Sequence, residues 1–412
     1  MARIYFDSNV FSNLRNRNQE KFIALSEAIA KYKDNLVFFF SHAHIRDKTN
    51  DTTNFKFEDF EYMKTLVGNN YLSYHALEKR TSYYLATPKE VFEDEDALLD
   101  VNFVMGGSYK QLRSLIESGG RDLPVPAGDK MYVQDELFKD GEIQDKFFDY
   151  IKDSLYHKDK NNIPYYDFYL HAYSVLDILG FSKDKLNKKN SYNNVFNDSL
   201  HSYYARYCDY LISDDDGLRK KSSLLYNKVE VKTKILSVDE FLQKIDEIGV
   251  STDNNVTQFF SKLGRDLISG DLLSNSMEGD MRTYIIKPKS RYFNFFDSLM
   301  VLKSENNEFH IFLSKSDDHF LSQPNYKEQG MITNRVVGLF SEDLGGKKYF
   351  EWETEKKEIE DGKWSGRYWE LGDTRIHLQI NEGSRNFCIQ IGPLTRWYFV
   401  SVFINGTTKQ EQ

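Results

Sequence analysis

Residues 1–14 read MARIYFDSNVFSNL, and the fold turns on what the aspartate at position 7 is doing there. Ile4, Tyr5 and Phe6 form a short apolar run of the kind buried on both faces in the middle of a parallel sheet. The run stops at Asp7, Ser8 and Asn9, residue types that favour turns and helix N-caps. Val10, Phe11 and Leu14 then recur at helical spacing. The chain is therefore expected to leave a strand at Asp7 and enter a helix capped by Ser8 or Asn9. In an open α/β sheet a strand end of this kind lies on the carboxyl edge, where ligands and catalytic groups collect. A lone acid in that place does no more than cap its helix, so the reading changes only if other acids reach the same edge.

Working outward, Phe22, Leu25, Ile29 and Tyr32 share one face of an amphipathic helix, and residues 36–40, LVFFF, form a second buried strand that runs into SHAHIRDKTND. Strand, helix, strand is a βαβ start and implies a parallel sheet. Residues 55–190 read as mostly helical, broken at Gly106-Gly107, Gly119-Gly120, Pro124 to Asp129 and Pro164, and are expected to form a helical insertion or cap over the sheet. Asn193 to Cys208 is again helical and leads to a third strand, Tyr210 to Ile212, which stops at Ser213-Asp214-Asp215-Asp216-Gly217. A helix from Leu218, a strand at Val229 to Val231 or at Lys234 to Leu236, and a helix from Val238 to Ile248 complete an α/β domain over residues 1–250.

Residues 251–281 read as a linker with a short helix. From residue 282 onward the chain alternates in short β-type runs: Tyr284 to Ile286, Phe309 to Leu313, Arg335 to Phe340, Arg375 to Ile380, Phe387 to Ile391 and Trp397 to Phe403. Turn residues separate them, which predicts a mostly-β domain, a sandwich or barrel, over residues 282–412. Trp352, Trp364, Trp369 and Trp397 are expected in its core or along a recognition groove.

Composition bounds the function. A charged fraction of 28% and a hydrophobic fraction of 40% are those of a globular protein that needs no membrane, and no stretch has the length of apolar residues a span requires. The N-terminus lacks a signal-peptide pattern, and the two cysteines, Cys208 and Cys388, are far apart, so a cytoplasmic protein without a disulfide framework is expected. A net charge of −9 excludes binding of nucleic acid by bulk positive charge, but not an acidic site with a local basic rim.

Further acids do reach the edge. The second strand is followed by Asp47, the third by Asp214, Asp215 and Asp216, and the helix before the third strand, read as beginning N-D-S-L-H, carries Asp198 in its first turn. Strands that share a direction deliver their strand-end acids to one place. Carboxylates gathered without a partner repel one another, so the cluster points to a hard divalent cation, Mg²⁺ or Mn²⁺. Such ions activate water and stabilise the oxygens exchanged in phosphodiester hydrolysis.

These residues resemble the PIN-domain nucleases, the fold of many toxin ribonucleases. That family's pattern is a first strand ending in Asp, a Ser-containing strand end followed by an acid, a late D-x-x-x-x-x-x-A helix, and a strand ending T-x-D. Here Ile4 to Asp7 with Asn9 is similar to the opening, Ser41 to Asp47 to the second element with Asp in place of the commoner Glu, and Asp198 to Ala205 to the third. Tyr210 to Asp215 is similar to the last, with Ser213 replacing Thr. The resemblance implies that Asp7, Asp47, Asp198 and Asp215 hold the metal ions, supported by Asn9 and Ser213, with Asp214 and Asp216 as neighbours that leave the last ligand ambiguous by one position. It implies an RNA substrate in preference to DNA. A free nuclease of this kind would be toxic, so a toxin or anti-phage defence setting is expected, with control by a regulatory protein partner, by the inserted helices or by a trigger such as phage infection; the oligomeric state is left open. The resemblance covers roughly residues 1–55 and 190–245; the long intervening segment and the β domain lie outside it.

Other residues admit more than one role. Arg219, Lys220 and Lys221 follow the acidic triplet and either form a solvated helix face or hold substrate phosphates. Arg15, Arg17 and the Lys183 to Lys189 cluster admit the same two roles. His44 is a candidate substrate contact. His42 and His44, an H-x-H pair sharing one face if the strand continues through them, raise the rival of a small-molecule metallohydrolase with Asp47 and His201. A second rival is an inactive binding or scaffold protein on the same fold.

Overall fold

The computed structural model describes residues 2–17, 19–49, 53–94, 138–154, 165–182, 192–249, 255–279, 281–303, 308–316, 326–345, 351–380 and 387–394. Its contacts divide the chain into two units, one of Arg3–Lys31 and Phe38–Ile245, the other of Met1–Ala2, Tyr32–Val37 and Asp246–Gln412.

Every residue of β1 (Ala2–Phe6) and of β2 (Leu36–Ser41) is buried. Strands apolar on both sides suit only the interior of a sheet covered on both faces. With β3 (Asn70–His75), β4 (Arg80–Leu85), β5 (Tyr210–Ile212) and β6 (Lys234–Leu236) they form a six-stranded sheet in the order β4-β3-β2-β1-β5-β6. β1 pairs parallel with β5, Ile4 opposite Tyr210 and Phe6 opposite Ile212, and β5 pairs parallel with β6. β2 pairs parallel with β3, and β3 with β4 forms an antiparallel hairpin. From β1 the chain builds outward through β2, β3 and β4, then returns to lay β5 and β6 on the other side. The strand order therefore reverses between β1 and β5, and such a switch point opens a crevice outside the carboxyl ends of the two strands.

Helices α1 (Ser8–Asn16), α2 (Glu20–Lys31), α3 (His42–Asp47), α4 (Phe55–Val67), α5 (Pro88–Asp94), α6 (Gly141–Ser154), α7 (Tyr165–Leu179), α8 (Tyr192–Ala205), α9 (Asp216–Lys228) and α10 (Val238–Gly249) accompany this sheet. α1 buries Val10, Phe11 and Leu14, the residues whose spacing marked it as a helix. One feature departs from the sequence reading. The hairpin β3–β4 lies inside residues 55–190, which read as mostly helical. Its strands NYLSYH and RTSYYL draw on aromatic and hydroxyl residues that suit a pleated surface, and Asn70 anchors it by donating to the Phe38 carbonyl (2.9 Å) and accepting from the Tyr83 hydroxyl (3.0 Å). The expected breaks from Gly106 to Asp129 and at Pro164, and the cluster from Lys183 to Lys189, lie outside the described residues.

Tyrosines form much of the packing behind the sheet. Tyr74 stacks on Tyr166 at 4.0 Å between ring centroids, and Tyr203 meets Tyr165, Tyr166, Tyr169, Tyr204 and Tyr207. The Arg206 guanidinium lies 3.7 Å from the centre of the Tyr165 ring. Buried phenols need partners. Tyr169 shares a hydrogen bond with the Ser202 hydroxyl (2.5 Å), Tyr226 donates to the Ser202 carbonyl (2.5 Å), and Tyr203 pairs with Thr81 (2.9 Å). α7 and α9 are also joined by a fully buried ion pair, Lys221 to Asp177 at 2.7 Å.

The second unit begins before the expected boundary. α11 (Val256–Ser269) and β7 (Asp271–Glu278) occupy most of the stretch read as a linker, and β7 pairs with β8 (Met281–Lys287). β9 (Ser298–Lys303), β10 (Phe309–Ser314), β11 (Arg367–Leu371), β12 (Thr374–Ile380) and β13 (Phe387–Leu394) complete a seven-stranded antiparallel sheet, β11-β12-β13-β10-β9-β8-β7. Among the described residues it is one sheet with helices, not a sandwich or barrel. The run Arg335 to Phe340, read as a strand, lies within helix α12 (Tyr326–Leu344), where Ile332, Val336, Leu339 and Phe340 are buried at helical spacing. Phe340 meets Phe259 of α11 at 5.2 Å and Trp369 of β11 at 5.3 Å. Trp369 is core, its indole N–H donating to Ser341 (2.9 Å), and Trp364 stacks on Phe387 at 5.2 Å. Trp397 and the run to Phe403 lie outside the described residues, and α13 (Trp352–Glu360) completes the unit.

Candidate functional site

Asp7 ends β1 and caps α1, its Oδ1 accepting from the Val10 backbone N–H at 2.8 Å. Its own N–H donates to the carbonyl of Ile212 in β5 (3.1 Å), which fixes the strand end at the reversal of strand order. Ser213, the residue after β5, donates its hydroxyl to Asp7 Oδ2. The same hydroxyl accepts the backbone N–H of Asp215 (3.0 Å), and Asp215 caps α9 by accepting from Leu218 (2.8 Å). One serine thus ties together two strand-end aspartates. Asp7 is 3% exposed, and burial pushes its carboxyl up to about 6 despite the hydrogen bonds from Ser213 and Val10; Asp215 pushes in the same direction as burial, and the His201 imidazole opposes it.

The neighbours of Asp215 are occupied elsewhere. Asp214 accepts from the Val238 N–H (3.0 Å) and pairs with Lys21 (2.8 Å), whereas exposed Asp216 pairs with Arg219 (2.6 Å). Of the triplet, Asp215 is the one whose backbone N–H meets the Ser213 hydroxyl that donates to Asp7.

Asp47 joins through Ser8. It ends α3 and accepts the Ser8 hydroxyl on Oδ2, the His201 Nε2–H on the same oxygen (2.8 Å) and the Asn197 side-chain amide on Oδ1 (2.7 Å). Burial would raise its carboxyl, but the His201 imidazole and the hydrogen bonds from His201 and Ser8 outweigh that and hold it below the usual range. Asn197 and His201, four residues apart, project from one face of α8. Arg46 donates to the Asn197 oxygen (3.1 Å) and lies over the Phe196 ring.

Behind Asp47 the donors and acceptors fit in one direction. The Ser41 N–H donates to His44 Nδ1 (3.1 Å), so His44 Nε2–H donates to the Phe6 carbonyl (2.8 Å). With His201 Nε2–H given to Asp47, its Nδ1 accepts the Tyr5 hydroxyl (3.0 Å), and Tyr5 accepts the Ser41 hydroxyl (2.6 Å). His44 is fully buried, and burial, reinforced by the neighbouring His201, lowers its imidazole to about 3, so it stays neutral.

Several sequence expectations need correction. His44 is a core residue that joins β1 to β2 and is enclosed away from any substrate. His42 and His44 lie on α3, not on a continuing strand, and two residues on a helix point to different sides, so the H-x-H pair shares no face. Lys221 is buried against Asp177 and is no part of a basic rim. Arg219 and Lys220 do lie at the surface, both paired with Asp216, the latter at 3.5 Å. Arg15 pairs with Asp59 (2.8 Å) and Arg17 donates to Ser26 (3.4 Å). Asp198 is half-buried in the second turn of α8, not the first; Asn197 and His201 are the residues of that helix that reach Asp47. Asn9 is exposed in the first turn of α1. Ser8, Asn197 and Tyr5 were not anticipated. The spacing of Asn197 and His201 was the available signal for a shared helix face.

Among the described residues no three His, Cys, Asp or Glu side chains converge as a ready-made metal shell. Asp7 meets the Ser213 hydroxyl with its carboxylate and Asp215 meets it with its backbone N–H, and the Asp215 carboxylate is near enough to push the Asp7 carboxyl up; two carboxylates so placed suit an ion keeping most of its own waters, Mg²⁺ or Mn²⁺, better than Zn²⁺ or Ca²⁺. Elsewhere, a groove of about 490 Å³ in the second unit is lined by Glu351, Glu355, Glu358, Trp364 and Arg367. Glu355 is already paired there with Arg367 and accepts from Trp364 (3.0 Å). Both cysteines are buried and form no disulfide, and no helix among the described residues is long and apolar enough to cross a membrane. Comparisons with protein families, with curated proteins and with solved structures each find no match to this chain.

Proposed function

We propose that the first unit is a PIN-like, divalent-metal-dependent nuclease that hydrolyses phosphodiester bonds, with RNA the preferred substrate. The observation that carries the reading is the meeting of Asp7, through its carboxylate, and Asp215, through its backbone N–H, at Ser213 where the strand order reverses, with the Asp215 charge felt by Asp7. A buried carboxylate beside a second one is a costly arrangement that a cation relieves. Asp7 and Asp215 would hold the ion. Mg²⁺ or Mn²⁺, when bound, supplies charge stabilisation at the phosphate and lowers the pKa of water. Ser213 orients Asp7, and Ser8 links Asp47 to the same edge. Arg219 and Lys220, which pair with Asp216 at the surface of α9, are cations that a phosphate backbone would draw away from that carboxylate. RNA in preference to DNA rests on the family resemblance alone. A cytoplasmic setting and control by a protein partner, as in toxin or defence systems, belong to the same proposal.

The test is cleavage of mixed single-stranded RNA and DNA with Mn²⁺, Mg²⁺ or EDTA, comparing wild type with Asp7→Asn/Asp215→Asn. Cleavage that requires metal and falls at least about a hundredfold in the double variant is expected, the scale at which loss of a charge-stabilising group acts. A wild type that neither cleaves nor binds either ion would favour a scaffold role for the fold.

A further inference from the structure

We infer that His201 is a positioning residue of the carboxylate site, holding Asp47 and Ser8 in a fixed geometry beside Asp7; the inference rests on the nuclease reading above. His201 is 2% exposed, and both of its nitrogens are engaged. Nε2 lies 2.8 Å from Asp47 Oδ2 and 3.2 Å from Ser8 Oγ, while Nδ1 lies 3.0 Å from the Tyr5 hydroxyl. A buried histidine is most often a satisfied core residue. Here one end reaches a carboxylate that is still 25% exposed, together with the hydroxyl next to Asp7 in the chain.

The hydrogen-bond count gives the arrangement its meaning. A carboxylate offers about four lone-pair directions. His201 and Ser8 fill those of Oδ2 and Asn197 takes one of Oδ1, so Asp47 keeps a single acceptor direction, on Oδ1, set by its three donors. The imidazole is itself immobile. It accepts from Tyr5, whose hydroxyl accepts from Ser41, and its ring meets His44 edge-on at 4.6 Å. The chain Ser41, Tyr5, His201, Asp47 thus runs from the sheet interior to the site without a free rotor. Asp47 is not one of the two carboxylates that would hold the ion; it stands beside them through Ser8, and partners that orient the surroundings of a metal site cost about 10–100-fold in metal affinity or activity when removed. His201 itself need not touch substrate.

The experiment measures Mn²⁺ binding by calorimetric titration, RNA cleavage with kcat and KM separated, and thermal unfolding, for wild type, Asp7→Asn, His201→Ala, His201→Gln and Tyr5→Phe. In His201→Ala the Mn²⁺ affinity and kcat are each expected to fall about 10–100-fold, with KM for RNA unchanged. His201→Gln, whose amide N–H can still donate to Asp47, should recover most of that loss. Tyr5→Phe, which keeps the ring and removes only the hydroxyl, should weaken Mn²⁺ by a few-fold, so the inference does not depend on the alanine variant folding. Mn²⁺ binding that is lost in Asp7→Asn but unchanged in His201→Gln and Tyr5→Phe, with kcat also unchanged, would overturn the role of His201 alone. A recovery by Gln no better than Ala would do the same. Wild-type protein that binds no Mn²⁺ would remove the nuclease reading and this inference together.

Discussion

Burying the carboxyl of Asp7 disfavours its charged form, and the sign of that effect can be followed with pH. Its folded value, about 6, lies above the ordinary 3.8, so the penalty is absent below about pH 4, grows as pH rises from there to 6, and is complete above. The gap corresponds to about 3 kcal/mol at neutral pH in metal-free protein. Asp7→Asn is therefore expected to raise stability in EDTA at pH 8 by up to about 3 kcal/mol and to give almost no gain at pH 4, while abolishing cleavage. Urea unfolding at the two pH values checks it. Asp47 has the opposite sign. Held below its ordinary value, it contributes stability above that value, and the contribution disappears as pH falls through the acid range. Asp7 and Asp215 were legible in the sequence because a short apolar run ending in an acid reports both burial and direction. For Asp198 the sequence places the helix start one turn too late; its neighbour Asn197 carries the contact with Asp47, and one residue of helix rotation, about 100°, separates the two. His44 misled because nothing in a sequence distinguishes an imidazole that satisfies a buried carbonyl from one that meets a ligand.

Among elements, the contact of α7 with α9 rests on charges removed from water. Lys221 and Asp177 are both completely buried, and deleting one partner strands the other. Lys221→Ala is expected to cost about 3–5 kcal/mol, whereas Lys221→Met with Asp177→Leu should recover most of it, because an apolar pair of similar volume avoids desolvation. Denaturant midpoints of the three proteins test this. The same helix shows why LRKK was misread as a wholly surface run: Arg219 and Lys220 are at the surface, but the next step of rotation carries Lys221 inward. β1, β2 and β5 were legible as unbroken apolar runs. β3 and β4 were not, because their tyrosines serve helix and strand alike and the decisive contact, Asn70 with Phe38 and Tyr83, joins residues distant in sequence. α12 was lost because RVVGLF, seen in six residues, is β-like, and only the longer window from Ile332 to Phe340 shows its helical period.

For the whole molecule, a chain of two compact units is expected to unfold in more than one step. In scanning calorimetry, Mn²⁺ at about 100 times its dissociation constant should stabilise the metal-binding unit by about 2.7 kcal/mol and move only its transition. EDTA should reverse the shift, and Asp7→Asn/Asp215→Asn should not show it. Movement of both transitions, or of neither, would contradict a site confined to the first unit. The tyrosine packing has an optical consequence. Tyr5, Tyr169, Tyr204 and Tyr226 are held by burial well above the ordinary phenol value of 10.0. In an alkaline titration the exposed phenols should ionise along a smooth curve, while these four stay dark until their unit opens and then release their protons together. Near-ultraviolet absorbance of the phenolate thus gives this chain an unlabelled gauge of when its sheet comes apart.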